Sequence, residues 1–230
     1  MGAPDLREKA RRVVCLLEEV YGVPAPRGAG DPLVQLVRTV LSQNTTDINA
    51  ERAYQLLRAR FPTWEAVLNA SLHDVAEAIR VGGLARVKAG YIQGILRELR
   101  RQGRGFALSF AGDMPAEAVF AYLTGLPGVG PKTAACVLLF ALRRPVLPVD
   151  THVHRVSRRL GLIPMNSSAE KAHVTLQALL SEDQVYSFHV NMIAHGRRVC
   201  RARAPVCDRC RLWVECASRS AGEGERACRM

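Results

Sequence analysis

The stretch Leu126–Asp150, LPGVGPKTAACVLLFALRRPVLPVD, constrains the fold of this chain more than any other. A turn built on Leu126-Pro127-Gly128-Val129-Gly130 leads into Pro131 and then a run, Thr133–Leu142, apolar enough for a buried helix. Proline is favoured at a first helical position, because its missing N–H would have had no partner there. Gly128 and Gly130 carry no Cβ, so the backbone can turn tightly and come close to another surface. The unpaired N–H groups of such a turn, beside a helix N-terminus, form a ready site for phosphate. Lys132 stands at that helix start, and Asp150 follows the helix across a proline-bounded link. A phosphate-gripping turn beside a lysine and a carboxylate points to chemistry on a nucleotide.

The rest of the chain reads as helices. Leu6–Tyr21 has Val13, Leu16, Leu17 and Val20 at helical spacing. Asp31-Pro32 supplies a cap and a first-turn proline for a helix with Leu33, Leu36, Val37, Val40 and Leu41 on one face. The polar run Ser42–Asp47 interrupts it, and Asp47 is the expected cap of a helix reaching Phe61. Thr63 and Ser71 read as further caps, the latter with Asp74 as a variant capping box. Val81-Gly82-Gly83-Leu84 is a turn between helices, with Leu84 an apolar residue left outside. A basic amphipathic helix, Arg86–Arg101, ends near Gly103-Arg104-Gly105, and a short helix, Ala116–Thr124, precedes the central turn to make a helix–hairpin–helix. Asp150 caps Thr151–Leu160, which Gly161 stops; Ser167 with Glu170 opens a helix to Leu180; and a last helix, Gln184–His195, ends at Gly196. No stretch alternates in the manner of a strand and no repeat of solenoid period occurs, so the expected fold is all-α. The polar last dozen residues are expected to fray.

At 230 residues the chain can form one domain or two modest ones. Its net charge of +11 and sequence pI near 9.8, with basic residues spread along the chain, favour a polyanionic partner, nucleic acid before membrane. No apolar stretch reaches the roughly 20 residues needed to span a bilayer. The charged, amphipathic N-terminus does not resemble a signal peptide, so a cytoplasmic, reducing setting is expected. Of seven cysteines, Cys200, Cys207, Cys210 and Cys216 crowd into C-x6-C-x2-C-x5-C, which argues for a metal centre rather than disulfides. Thiolates suit zinc or iron–sulfur; a single close pair, Cys207 and Cys210, fits a cubane with one ligand per iron better than a two-pair zinc site. Cys15 and Cys136 read as core, and Cys228 lies in the tail.

LPGVGPKTA, the VDTHVHRV that follows, and the C-x6-C-x2-C-x5-C ending together resemble endonuclease III, of the helix–hairpin–helix DNA glycosylase superfamily, over about Asp31 to Cys216. The resemblance implies two helical domains. Residues 25–144 would form a six-helix barrel containing the helix–hairpin–helix; residues 1–24 and 145–230 would form a domain holding a [4Fe–4S] cluster on Cys200, Cys207, Cys210 and Cys216. Damaged double-stranded DNA, met by a monomer, would lie in the groove between them.

That frame gives the candidate residues their roles. Breaking an N-glycosidic bond builds positive charge on the sugar, which the Asp150 carboxylate would stabilise. Lys132 would attack C1′ as an uncharged amine, a form that a positive helix terminus in a basic groove favours, and the Schiff base would break the strand by β-elimination. Extruding a nucleotide leaves a gap in the stack. Leu84, in GGLARVK, matches the family's gap-filling leucine; Asn44, with Gln43 one residue earlier, stands where the family has a longer glutamine. Lys88, His152, Arg201 and Arg203 are expected to meet phosphate, as are the turn glycines Gly128 and Gly130. The reading is a base excision repair enzyme: a bifunctional DNA N-glycosylase and abasic-site lyase for oxidised pyrimidines. A mismatch- or uracil-specific glycosylase of the same superfamily and a non-catalytic DNA-binding module stay open as alternatives.

Overall fold

The computed structural model describes residues 5–26, 28–103 and 105–219, and these contain eleven α-helices and no strand. In chain order they are α1 (Leu6–Tyr21), α2 (Pro32–Leu41), α3 (Asp47–Arg60), α4 (Trp64–Asn69), α5 (Leu72–Ala78), α6 (Ala85–Arg101), α7 (Ala116–Thr124), α8 (Pro131–Phe140), α9 (Thr151–Leu160), α10 (Ala169–Leu179) and α11 (Glu182–Arg198). The chain divides into two compact units, residues 27–144 and residues 1–26 with 145–230.

The unit of residues 27–144 is assembled around α8. From Thr133 to Leu139 every residue of this helix is buried, as its unbroken apolar run requires. α2 and α7 pack against it, and α2 in turn packs on α3 and α6. Pro131 occupies the first helical position, and Arg143, left-handed at φ 54°, ends the segment as Arg144 N–H donates back to Leu138 O. The helix therefore closes at Phe140, short of the expected Leu142.

In the second unit, α11 is the packing centre: α1 and α9 both lie against it, and α10 meets α1. α1 buries Ala10, Val13, Val14 and Leu17. Cys15 is one residue, about 100° of helical turn, beyond Val14 and is exposed, not core; Cys136 is buried as expected. Cys228 and the tail expected to fray lie outside the described residues.

Beyond α6, which starts one residue early at Ala85, three helix starts differ from expectation. Thr46, in extended backbone, caps α3 by accepting from Asn49 N–H, and Asp47 becomes the first helical residue, where a carboxylate still meets the positive helix end. Ser168 rather than Ser167 caps α10, through Lys171 N–H. α11 begins at Glu182, with Gln184 Oε1 accepting from Ser181 N–H. Its far end runs through Gly196 to Arg198, so Gly196 is not a cap; it lies under α9, where an added Cβ would be 2.9 Å from His152 Cβ.

Candidate nucleic-acid interface and metal centre

The hairpin between α7 and α8 is shaped by α6. Gly128 has φ +72°, and a Cβ there would lie 2.3 Å from ring carbons of Tyr91, so only glycine fits. Pro127 rests on Gly94, whose Cβ-free surface it fills. Gly130 is different: its φ is −92° and a Cβ would meet nothing within 4 Å. Neither backbone nor packing demands glycine at Gly130, which leaves an open approach to the backbone from outside. No side chain caps α8, so the N–H groups of its first turn stay available to an anion. Lys132 sits in that turn, half-buried, and its ammonium is engaged by no hydrogen bond or ion pair among the described residues.

Two more expected contact segments belong to the same unit. Asn44 is exposed with φ 51°, and Leu84 is 56% exposed with φ 48°. Both therefore hold left-handed backbone without being glycine, a conformation that costs about 1–3 kcal/mol and is often kept at functional sites. Gln43 turns inward: its Nε2 donates to Gly128 O at 3.0 Å, with Thr133 Oγ1 at 3.5 Å. It braces the hairpin from the loop after α2 instead of projecting outward. Lys88 is a correction. It is 1% exposed, and its Nζ donates at 2.7 Å to both Leu41 O and Gly82 O, so it offers no ammonium to a phosphate at the surface. Helical spacing carried the signal, because Lys88 shares the inward face with Ile92 and Ile95, but its charge pointed to the surface.

In the other unit, Asp150 starts α9. Its Oδ1 accepts from His152 N–H at 2.9 Å and Val153 N–H at 2.8 Å, and neither cap bond uses Oδ2. His152 is half-buried, with Nδ1 3.1 Å from Arg155 Nη2. Burial, reinforced by the charges of Arg155 and Arg197 and opposed by Asp150, holds its imidazole below the usual histidine range. A hydrogen bond with the Gly196 backbone also acts against the lowering.

Arg155 and Arg159, unnoticed in the sequence, join α9 to the cysteine loop. Arg155 donates to Gly196 O at 2.9 Å and Cys200 O at 3.1 Å. Arg159, 3% exposed, donates to Cys200 Sγ at 3.3 Å and Arg201 O at 2.8 Å, and its own carbonyl lies 3.4 Å from Cys216 Sγ. Their separation of four residues puts both on one face of α9, a signal that the run of arginines in HRVSRRL obscured.

Cys200, Cys207, Cys210 and Cys216 form no disulfide, and all are half-buried. Two 3-10 turns, Cys207–Arg209 and Trp213–Glu215, set the spacing of the last three, and Arg12 of α1 grips Glu215 through both carboxylate oxygens at 2.7 and 3.2 Å. Among the described residues no group of three or more ligand side chains converges on a single ion. Burial lowers the His195 imidazole to about 4. As a neutral ring between Tyr21 Oη (3.1 Å from Nδ1) and Cys210 Sγ (3.6 Å from Nε2), it can accept from the phenol and donate to the sulfur. Donors aimed at two of the four sulfurs, from Arg159 and His195, suit thiolates better than inert thiols. Arg201 and Arg203 are exposed on this loop, Arg201 with Nη2 on Ala204 O at 2.9 Å.

An uncapped helix–hairpin–helix in one unit, and a helix-capping carboxylate and a four-cysteine loop in the other, are features of a DNA-repair fold. The model of the HhH-GPD superfamily of base excision DNA repair proteins matches residues 37–182, and the chain belongs to that superfamily. Within it the resemblance is to endonuclease III. The chain is 37% identical to endonuclease III of Thermotoga maritima over 209 residues, 90% of this chain and 93% of the relative. It is 36% identical over 176 residues to a candidate DNA glycosylase of Arabidopsis thaliana, covering 76% of this chain but only 57% of that longer protein. The solved structure of a non-covalent endonuclease III–DNA complex superposes with a TM-score of 0.80 at 28% identity, over 100% of both chains. The protein is thus an endonuclease III-like member of the base excision DNA glycosylases.

Proposed function

We propose that this protein is a bifunctional DNA N-glycosylase and abasic-site lyase that removes oxidised pyrimidines from duplex DNA. The observation that carries the proposal is Lys132: an unengaged amine in the first turn of α8, directly after a hairpin with free backbone N–H groups. Its nitrogen attacks C1′ of the extruded nucleotide as the base leaves, the C1′–O4′ bond then opens with a proton going to O4′ to give the iminium, and loss of a C2′ proton breaks the C3′–O bond. Asp150, with Oδ2 outside its cap bonds, stabilises positive charge on the sugar and can take a proton from the amine. The reading requires both residues to reach one sugar. Phosphate contacts fall to the hairpin amides at Gly128 and Gly130, to His152, and to Arg201 and Arg203. Asn44 and Leu84 fill the gap left by extrusion.

Residues 27–144 serve in this reading as the barrel domain with the helix–hairpin–helix, and the remainder as an iron–sulfur domain. Cys200, Cys207, Cys210 and Cys216 would hold a [4Fe–4S] cluster, whose irons take one thiolate each rather than sharing a single centre. The cluster would order the loop that carries Arg201 and Arg203; no step of the reaction passes through it.

Borohydride trapping tests the assignment. On duplex containing thymine glycol, wild-type protein is expected to give a covalent adduct, Lys132→Gln none, and Asp150→Asn a rate lower by about a hundredfold or more. An adduct that survives Lys132→Gln overturns the role of that amine. Cutting of uracil or G·T duplexes but not thymine glycol would move the reading to a mismatch- or uracil-specific glycosylase of the same superfamily.

A further inference from the structure

Lys88 is among the largest fully buried side chains of the described residues. Taking an ammonium out of water is among the most unfavourable burials a fold can make, and an apolar side chain of similar length would fill the same space without it. No carboxylate among the described residues compensates the charge; the only partners of Nζ are the carbonyls of Leu41 and Gly82, each at 2.7 Å. Burial accordingly pushes the amine below the usual lysine range.

The position of those carbonyls explains the arrangement. Leu41 is the last residue of α2 and Gly82 the last of the 3-10 turn Arg80–Gly82, so both carbonyls lie at negative helix ends that lack intrahelical donors. Three residues after Leu41 comes Asn44, and two after Gly82 comes Leu84, both in left-handed backbone. The main chain of Lys88 adds a third tie, donating N–H to Leu84 O at 3.0 Å. One residue thus brackets the Gly83-Leu84 turn from both sides and fastens it to the loop after α2. Gly82 seats the turn on α3, with a Cβ position only 3.2 Å from Ala53 Cβ.

We propose that Lys88 is a positioning residue that locks the Asn44 loop and the Leu84 turn into one rigid piece, so that both enter the duplex in register when a nucleotide is extruded. The proposal rests on the gap-filling roles assigned to Asn44 and Leu84 above.

Two measurements on the full-length protein test it, using Lys88→Met, which removes the charge, and Lys88→Arg, which keeps a buried cation with N–H donors. In amide hydrogen exchange of the free protein, Lys88→Met should lose protection at residues 42–46 and 83–86 together, leaving the core of α8 unchanged, and Lys88→Arg should recover it. Extrusion is read by fluorescence of 2-aminopurine placed beside the lesion. Lys88→Met should slow it by about tenfold to about a hundredfold while sparing strand cleavage at an abasic site in single-stranded DNA, where nothing is stacked. Adding Lys88→Met to Leu84→Ala should slow extrusion no further, because the two act through one element. Protection lost in one segment alone, or additive effects with Leu84→Ala, would overturn the proposal. If wild-type protein extrudes nothing, the gap-filling reading falls and the proposal falls with it. Joint loss of protection would then place the fault in that reading, not in the tie.

Discussion

Gly128 and Gly130 stand two residues apart in one turn, yet they are glycine for different reasons. Gly128 combines a positive φ with a Tyr91 ring where a Cβ would go, whereas Gly130 has neither constraint. Gly128→Ala should therefore destabilise the protein by more than about 2 kcal/mol, combining left-handed strain with overpacking. Gly130→Ala should change stability by less than about 0.5 kcal/mol while weakening affinity for duplex DNA, since its methyl intrudes only on an approaching partner. Denaturant midpoints and binding titrations on the same two variants separate these effects; equal loss of stability in both would contradict the distinction. The sequence shows two glycines in a tight turn, but which one serves the fold and which the surface depends on Tyr91, thirty-seven residues before Gly128.

Helices carry a second contrast, between local propensity and packing. Gly196 lies within α11, where glycine-to-alanine exchange in isolation would stabilise the helix by about 1 kcal/mol. Here the new methyl would lie 2.9 Å from His152 Cβ, 3.0 Å from its Nδ1 and 3.2 Å from Arg155 Nη2. Gly196→Ala is expected to lower the thermal midpoint despite the propensity gain, because α9 must move off α11 and Arg155 loses its bond to Gly196 O. A raised midpoint would show that the close approach is not maintained in solution. Helix starts were legible where a capping side chain and an apolar period agreed, as at Asp31, Thr63, Ser71 and Asp150. They slipped where two neighbouring residues could both cap, Thr46 against Asp47 and Ser168 against Ser167, because the choice depends on which residue is extended.

For the molecule as a whole, acid sensitivity follows from burial. His173 of α10 is held below the ordinary histidine range chiefly by burial, against a hydrogen bond with Leu147 that raises it. Its folded form therefore binds fewer protons than the unfolded chain just below the ordinary histidine pKa of about 6.5. The stabilisation from keeping His173 neutral is complete above that pH and is lost as pH falls toward the depressed folded value. Lowering the pH from about 7 to about 5 should reduce the denaturant midpoint, and His173→Gln should flatten that dependence. An unchanged slope in the variant would place the acid sensitivity elsewhere.

By itself the sequence determined an all-helical chain, the helix–hairpin–helix with Lys132 at the start of α8, Asp150 as a helix cap, and four cysteines on one short loop. Each of these depends on residues close together in the chain, where periodicity, capping and spacing act directly. Only the tertiary structure decided that Lys88 points inward to two carbonyls, that Gln43 braces Gly128, and that Arg155 and Arg159 reach across to the cysteine loop. A basic or amide side chain looks the same in sequence whether it meets water, phosphate or a buried carbonyl. What separates these cases is which unpaired backbone group the packing brings within reach, and that is set by residues far away along the chain.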